Sequence, residues 1–266
     1  MLNMIRDLTE KNLIYQIRQY KMKRRVYFYP EIDSTNNAAK KLCNENKGGG
    51  ALVVADCQTA GKGRLGRSFA SPAGTGLYLT AVYELTGQEK NFELLPALAG
   101  LAVRDTLYNM FDLETVIKWP NDVLYEGRKL CGILCEAVNV GNRPKYVAVG
   151  VGLNIQRGAF PDDVDCIAGA VGEYCKDEID RNELCVELVH NMDRYIIRSH
   201  ALTEDSRDAI ARLKACSATL GQMVRVITPD SEYDARALDF AENGGLLVSC
   251  AEGEKVITSG EVIHIR

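Results

Sequence analysis

From Thr59 to Pro72 the chain reads TAGKGRLGRSFASP, with Gly61, Gly63 and Gly66 in G-x-G-x-x-G spacing and Lys62, Arg64 and Arg67 between them. The flanks decide what this stretch is. GALVVADCQTA before it has the unbroken apolar character of a buried strand, and GLYLTAVYEL after it alternates with a period of two and is rich in aromatic residues. A dinucleotide-binding fingerprint must open a helix, which Pro72, Gly74 and Gly76 forbid. A Walker A loop needs Ser or Thr where Gly63 stands. The stretch is therefore a loop between two strands. Its glycines let backbone N–H groups approach an anion, and its cations suit a phosphate or carboxylate. Taken alone, it is a weak signal and reads more readily as a mobile solvated loop.

Working outward, RVYFYPEIDSTNNAAKKL runs as a strand into Asp33, Ser34 and Thr35, which stand where a short helix would be capped. Capping alone explains the two hydroxyls, but a helix start at a strand end is also where free N–H groups meet a polar ligand. ELLPALAGLAVRDTLYNMF has helical spacing and predicts a helix over one face of a sheet. TVIKWPNDVLYEGRKLCGILCEAV reads as strand, turn at Pro120 to Asp122, strand, tight turn at Glu126 and Gly127, and strand, and YVAVGVGLNI completes the sheet. Asp180 and Glu183 form a candidate capping box for a helix carrying Leu184 to Ile196, with more helix to about Ala215. From Leu220 the texture changes to short strands, QMVRVIT, YDARALDF, LLVSC and KVITSGEVIHI, as in a small all-β barrel. Ile5, Leu8, Leu13, Ile14, Ile17 and Tyr20 predict one amphipathic N-terminal helix ending in the basic run KMKRR. The reading divides the chain into residues 1–25, an N-terminal helical segment; 26–216, the main domain; and 217–266, the barrel.

The 266 residues, 46% of them hydrophobic, suffice for one large core and a small satellite. A net charge of −4 supplies no global field for nucleic acid, so any phosphate must be met by local cations. The nine cysteines lack paired C-x-x-C spacing and read as reduced residues of a cytoplasmic protein. No signal peptide and no window near the ~20 apolar residues of a membrane span is found. His190, His200 and His264 lie in the later helical and barrel regions, away from the glycine loop and the KWPND and GRKLCGIL stretches, and read as structural or surface residues.

Two further stretches give the glycine loop company. KWPND sets Lys118 and the only tryptophan at a strand end before a Pro-Asn-Asp turn, and GRKLCGIL sets Lys129 at the start of a hairpin strand. Asp122 offers a hard oxygen ligand for Mg²⁺, while Lys118, Lys129 and Arg64 offer the positive charge that a nucleoside triphosphate requires.

In order and wording these pieces resemble the biotin protein ligases: DSTN at 33–36, QTAGKGRLGRSFASPAGTGLYLT at 58–80, KWPND at 118–122, GRKLCGILCE at 127–136 and GVGLNI at 150–155. The likeness spans nearly all of residues 26–266, and the set is specific although each piece alone is not. The resemblance implies an α+β fold: a mixed-sheet catalytic domain related to class II aminoacyl-tRNA synthetases, then an SH3-like barrel. It also implies a two-step reaction. Biotin attacks the α-phosphate of MgATP to give biotinyl-5′-AMP, and a lysine of a biotin carboxyl carrier domain then takes the acyl group. Two anions meet in the first step, so positioning by cations replaces a protein nucleophile.

Carried over residue by residue, the resemblance assigns Ser34, Thr35, Asn36 and Gln58 to the ureido ring of biotin. Lys62, Gly63 and Arg64 would close over the carboxylate and α-phosphate, and Lys129 would contact both, with Gly132 lining the biotin pocket. Lys118, Asn121 and Asp122 would serve the nucleotide phosphates and the metal, and Asn154 would lie near the nucleotide. The chain departs from the family pattern at Lys62, where many members have Arg, at Leu65, where some have a second Arg, and at Phe69, where Trp is common. A point charge in place of a planar fork puts retention of the intermediate in question. Residues 1–25 are too few for the winged helix of bifunctional relatives, so no DNA-binding role is expected; a homodimer is possible on family precedent. The rivals are a lipoate or octanoate ligase, which lacks a counterpart here to its RRxSGGG stretch, a biotin sensor without turnover, and a plain nucleotide-binding module.

Overall fold

The structure, a computed structural model, describes residues 5–158, 160, 165–198, 201–228 and 230–265. Its centre is a seven-stranded sheet in the order β2-β3-β4-β8-β7-β6-β5. The strands are β2 (Arg25–Ile32), β3 (Ala51–Gln58), β4 (Gly76–Glu84), β5 (Val116–Lys118), β6 (Asp122–Tyr125), β7 (Arg128–Val140) and β8 (Arg143–Asn154). β2 and β3 run parallel and the other neighbours antiparallel, so the sheet is mixed, as the sequence predicts.

The apolar run ALVVA is unbroken because β3 is covered on both faces. Leu52 and Val54 join the large core under α3 (Leu95–Phe111) and α4 (Arg181–Asp193), whereas Ala51 and Val53 pack with Ala39, Leu42 and Cys43 of α2 (Thr35–Asn44). β8 shows how the site arises from the same alternation. Val149, Val151 and Leu153 enter the core, which leaves Gly150, Gly152 and Asn154 on the face where α2 begins. Side-chain bulk is withdrawn from that face, and a cleft opens there.

The N-terminal expectation of one long helix is corrected. Ile5 and Arg6 form a short strand, β1, paired in parallel with β9 (Ile179–Asp180), and α1 (Glu10–Gln19) starts only after the Thr9 cap, whose hydroxyl accepts from Asn12 N at 3.3 Å. Residues 1–4 lie outside the described residues. Asp180 Oδ1 caps α4 by accepting from Asn182 N and Glu183 N at 2.8 and 3.3 Å. The further helix expected to about Ala215 is present as a π-helical turn at Arg194–Arg198 and, after a break, α5 (Arg207–Ala215). His200 is outside the described residues.

The C-terminal strands β10 (Met223–Ile227), β11 (Glu232–Phe240), β12 (Leu246–Cys250), β13 (Gly253–Ile257) and β14 (Glu261–His264) form a five-stranded antiparallel sheet in the order β13-β12-β11-β10-β14. It is docked rather than tethered: Trp119 N donates to Thr219 Oγ1 and its indole Nε1 to Gly244 O, both at 3.0 Å, with Trp119 only 4% exposed. His264 Nε2 lies 3.2 Å from the same Thr219 hydroxyl. This corrects the reading that places every histidine away from the KWPND turn. Of the cysteines, only Cys43, Cys131, Cys185 and Cys216 are buried, and Cys166 is exposed. Among the described residues no helix is long and apolar enough to cross a membrane.

Candidate active site

The cleft on the α2 face has a volume of 710 Å³ and is lined by every residue that the sequence reading assigned to biotin, nucleotide or metal: Ser34, Thr35, Asn36, Gln58, Lys62, Gly63, Arg64, Lys118, Asn121, Asp122, Lys129, Gly132 and Asn154. A drug-sized molecule fits such a volume.

At one end the start of α2 is built unusually. Ser34 occupies the cap position but its side chain makes no capping bond; Gln58 of β3 does that work, its Oε1 accepting from Thr35 N at 2.9 Å and lying 3.1 Å from the Thr35 hydroxyl. Gln58 Nε2 donates to Ser71 Oγ at 2.9 Å, which ties the far side of the glycine loop to the same group. Below, Thr80 Oγ1 lies 2.6 Å from Asn36 Oδ1 and 2.9 Å from Thr35 Oγ1, and Asn36 Nδ2 donates to Glu136 Oε2 at 2.8 Å. Lys40 closes the chain at 2.7 Å from Glu136 Oε1. Burial acts to raise the Glu136 carboxyl, but the hydrogen bonds from Lys40 and Asn36 outweigh it and hold it below the ordinary glutamate range. Ser34, Thr35 and Asn36 are each less than 5% exposed, so this wall is a fixed set of donors and acceptors.

The glycine loop is a small hairpin over the cleft. Gln58 pairs with Ser71 and Lys62 with Ser68; Phe69 N donates to Gly61 O at 2.9 Å and Gly63 N to Arg67 O at 2.7 Å. Leu65 sits at its tip with φ 54°, a left-handed conformation uncommon for a branched side chain, and is 68% exposed. Phe69 reaches back to the floor. A Cβ built on Gly152 would stand 2.5 Å from its Cε1, and one on Gly132 3.2 Å from its Cε2, and these glycines are cross-strand partners on β8 and β7. The ring therefore lies where only glycine leaves room.

At the other end, the KWPND turn and the β6–β7 hairpin bring charges together. Lys129 Nζ lies 2.6 Å from Asp122 Oδ1, without the alignment of a hydrogen bond. Asn121 is tied to β7, with its Nδ2 donating to Ile133 O at 2.9 Å and its carbonyl accepting from Ile133 N at 3.0 Å, and Asn154 Nδ2 donates to Gly169 O at 3.1 Å. Asn154 Nδ2 also lies 3.4 Å from Lys129 O, so that amide keeps Oδ1 for a ligand, whereas Asn121 keeps Oδ1 and one N–H. Burial draws the Arg64 guanidinium below the ordinary arginine range, and Asp122, Cys135 and Glu261 act in the opposite direction. The Cys135 thiol, which acts on Arg64 in this balance, is pushed up to about 12 by burial and so is poorly suited to serve as a thiolate nucleophile. Among the described residues no three His, Cys, Asp or Glu side chains gather as a metal centre.

Two groups of residues at or behind the cleft wall escaped the sequence reading. Thr80 and Glu136 orient Asn36 from neighbouring strands, and only their place on the same face as the glycines of GVGLNI could have pointed to them. Gly260, Glu261 and Val262 come from the C-terminal sheet, and no local pattern marks them.

Comparison with known proteins fits this geometry. Residues 28–154 match the Biotin/lipoate A/B protein ligase family and residues 219–265 the biotin protein ligase C-terminal domain. The biotin–acetyl-CoA-carboxylase ligase of Mycobacterium tuberculosis is 32% identical over 222 residues, covering 82% of this chain and 80% of that protein. The chain belongs to the biotin protein ligase family. A second relative of this ligase, the Bacillus subtilis bifunctional ligase/repressor BirA, is 28% identical over 96% of the chain and 78% of that protein. The ligase is also similar in structure to the biotin protein ligase from Aquifex aeolicus in complex with biotin and ATP, with a TM-score of 0.79 and 27% identity over 92% of this chain and 100% of that one. The biotin protein ligase fold accounts for the mixed sheet and for the antiparallel sheet appended to it.

Proposed function

We infer that the cleft joins biotin to AMP and passes the biotinyl group to a lysine of a biotin carrier protein, an ATP-dependent ligation. The observation that carries this reading is that the hydroxyl-amide wall and the cationic hairpin face one another across a single cleft, with the glycine loop above both. Ser34, Thr35, Asn36 and Gln58 would take the ureido ring, whose donors and acceptor match their groups. Gly132 would give the bicyclic ring and its chain room on the floor. Lys62, Gly63 and Arg64 would cover the carboxylate and α-phosphate, excluding the water that hydrolyses an acyl-adenylate.

Lys129 is proposed as the catalytic cation. The approach of carboxylate to phosphate is opposed by like charge, and a lysine beside both lowers that barrier without forming a bond. Lys118, Asn121 and Asn154 would hold the nucleotide, Asn121 through its remaining N–H and Asn154 through its Oδ1. A magnesium ion fits Asp122, whose Oδ1 is buried without a hydrogen-bond donor. With one protein carboxylate, such an ion would complete its shell from phosphate oxygens and water. It would supply neutralisation of phosphate charge. Residues 26–216 are proposed as the catalytic domain, 217–266 as the C-terminal domain and 1–25 as an N-terminal extension. A homodimer is proposed through β2, the terminal strand of the large sheet, and the net charge of −4 favours no role on nucleic acid.

Pyrophosphate release from MgATP, with biotin, lipoate or octanoate as the acyl substrate, tests the reading. Release with biotin alone is expected. Release only with lipoate or octanoate would keep adenylation and move the substrate, and none with any would leave a sensor.

A further inference from the structure

We propose that Glu261 of the C-terminal sheet is a positioning residue for the ligation: it anchors Arg67, holding the glycine loop shut over the cleft and the activated intermediate inside it. The second half rests on the reading that the cleft makes an acyl-adenylate; the first half does not.

The two residues form an ion pair between chain positions separated by 194, Arg67 Nη2 to Glu261 Oε1. The partners differ in exposure. Arg67 is 65% exposed through its side chain and sits on a hairpin tip, whereas Glu261 is 22% exposed and its backbone is fixed. Glu261 pairs with Ile227 in the β10–β14 ladder, and its neighbour Val262 is buried in the core. On the other side, Gly260 turns the chain at φ 113°, where a Cβ would stand 2.6 Å from Ile227 O. The sheet that carries Glu261 is itself held to the KWPND turn by both nitrogens of Trp119.

A closed mechanical path follows. The hairpin's base is secured by its own backbone bonds, but beyond Lys62, which donates to Asn37 Oδ1 at 2.8 Å, Arg67 makes the side-chain link from the tip to a fixed element among the described residues. The pairing also divides labour between two nearby arginines. Arg67 is neutralised by Glu261, and Arg64, whose guanidinium has no ion-pair partner among the described residues, is left to meet the anionic substrate. The C-terminal sheet thereby contributes to a site whose chemistry lies on the other sheet.

The ion pair is partly exposed, so its removal should shift the open–closed balance by roughly three- to tenfold rather than by orders of magnitude. Two measurements on the full chain test the proposal. Tryptic cleavage after Arg64 in the ligand-free protein is expected to be several-fold faster in Glu261→Gln, at an unchanged melting temperature. An unchanged cleavage rate overturns the latch whatever the substrate is. With biotin and MgATP, release of labelled biotinyl-AMP should be about three- to tenfold faster in Glu261→Gln. Raised salt should speed release from the wild type and leave the variant unmoved. The charge swap Arg67→Glu with Glu261→Arg should recover slow release relative to either single change, and additive single effects would overturn the pairing. Failure of the wild type to form any adenylate would sink the functional reading, while the cleavage result would still decide the latch.

Discussion

Lys129 Nζ stands 2.6 Å from Asp122 Oδ1 across the β6–β7 hairpin, and charge alone, with no aligned hydrogen bond, satisfies that buried oxygen. The two residues are a cation and a carboxylate held in readiness: each is the other's partner until an anion or a metal separates them.

Lys129→Ala should therefore reduce biotin-dependent pyrophosphate release by about 10²-fold or more, the size of effect seen when one preorganised charge-stabilising donor is lost. The melting temperature should fall by at most a few degrees: the buried Asp122 Oδ1 loses its cation, but both side chains are partly open to solvent. Lys129→Arg keeps the charge but changes its shape, and is expected to fall between the two. Release by Lys129→Ala within a few-fold of wild type would remove this lysine from the chemistry.

Gly152→Ala places a methyl 2.5 Å from Phe69 Cε1, so the ring must leave its seat on the β7–β8 floor. Overpacking of this kind costs about 1–3 kcal/mol, and here the cost falls on the loop that carries Phe69. The biotin KM is expected to rise roughly tenfold, since a 1.4 kcal/mol change is a factor of ten. Phe69→Ala in the same chain should recover part of that rise. If the double variant binds no better than Gly152→Ala, the clash lies elsewhere.

Glu136 links Lys40 to Asn36, and its carboxyl is held below the ordinary value of 4.5 in the folded chain. A depressed carboxylate stabilises the fold above its unfolded value and loses that contribution as pH falls through the folded one. Glu136→Gln should cost about 1 kcal/mol near neutral pH and converge on wild type well below about pH 4. Urea unfolding of both proteins at the two pH values checks this, and an equal gap at both would show that ionisation is not the cause.

His264 titrates with the opposite chemistry but the same sign. Burial first, and then Lys118, lower it from 6.5, so the folded chain resists protonation that the unfolded chain accepts. Stability is full above 6.5 and declines as pH falls through that value toward the folded one. His264→Gln should flatten the drop in melting temperature between about pH 7.5 and about pH 5.5. An identical drop in both proteins would assign the decline to other groups.

The elements around the cleft were legible where local pattern governs. The strand-loop-strand reading of residues 50–85 holds because Pro72 and the glycines exclude a helix, and the KWPND and EGRK turns follow from residues that favour turns. Whole families of contacts were not legible, because they join residues far apart in the chain. Ile5 fits a helical spacing, yet Ile5 and Arg6 pair with Ile179 and Asp180, and a strand partner that distant leaves no trace in periodicity. Gln58 caps a helix that begins at Thr35, a role for which the sequence offers Ser34 or Thr35. Glu261 reaches the cleft only because the C-terminal sheet docks on Trp119.

Trp119 is the chain's single tryptophan, it lines the cleft, and its indole N–H is spent on Gly244 of the other sheet. The protein thus carries an optical reporter at the seam between its two sheets. Emission that moves to longer wavelength signals separation of the sheets, because the indole then meets water. A change in intensity at fixed wavelength signals that something has arrived beside the ring while the seam stays closed.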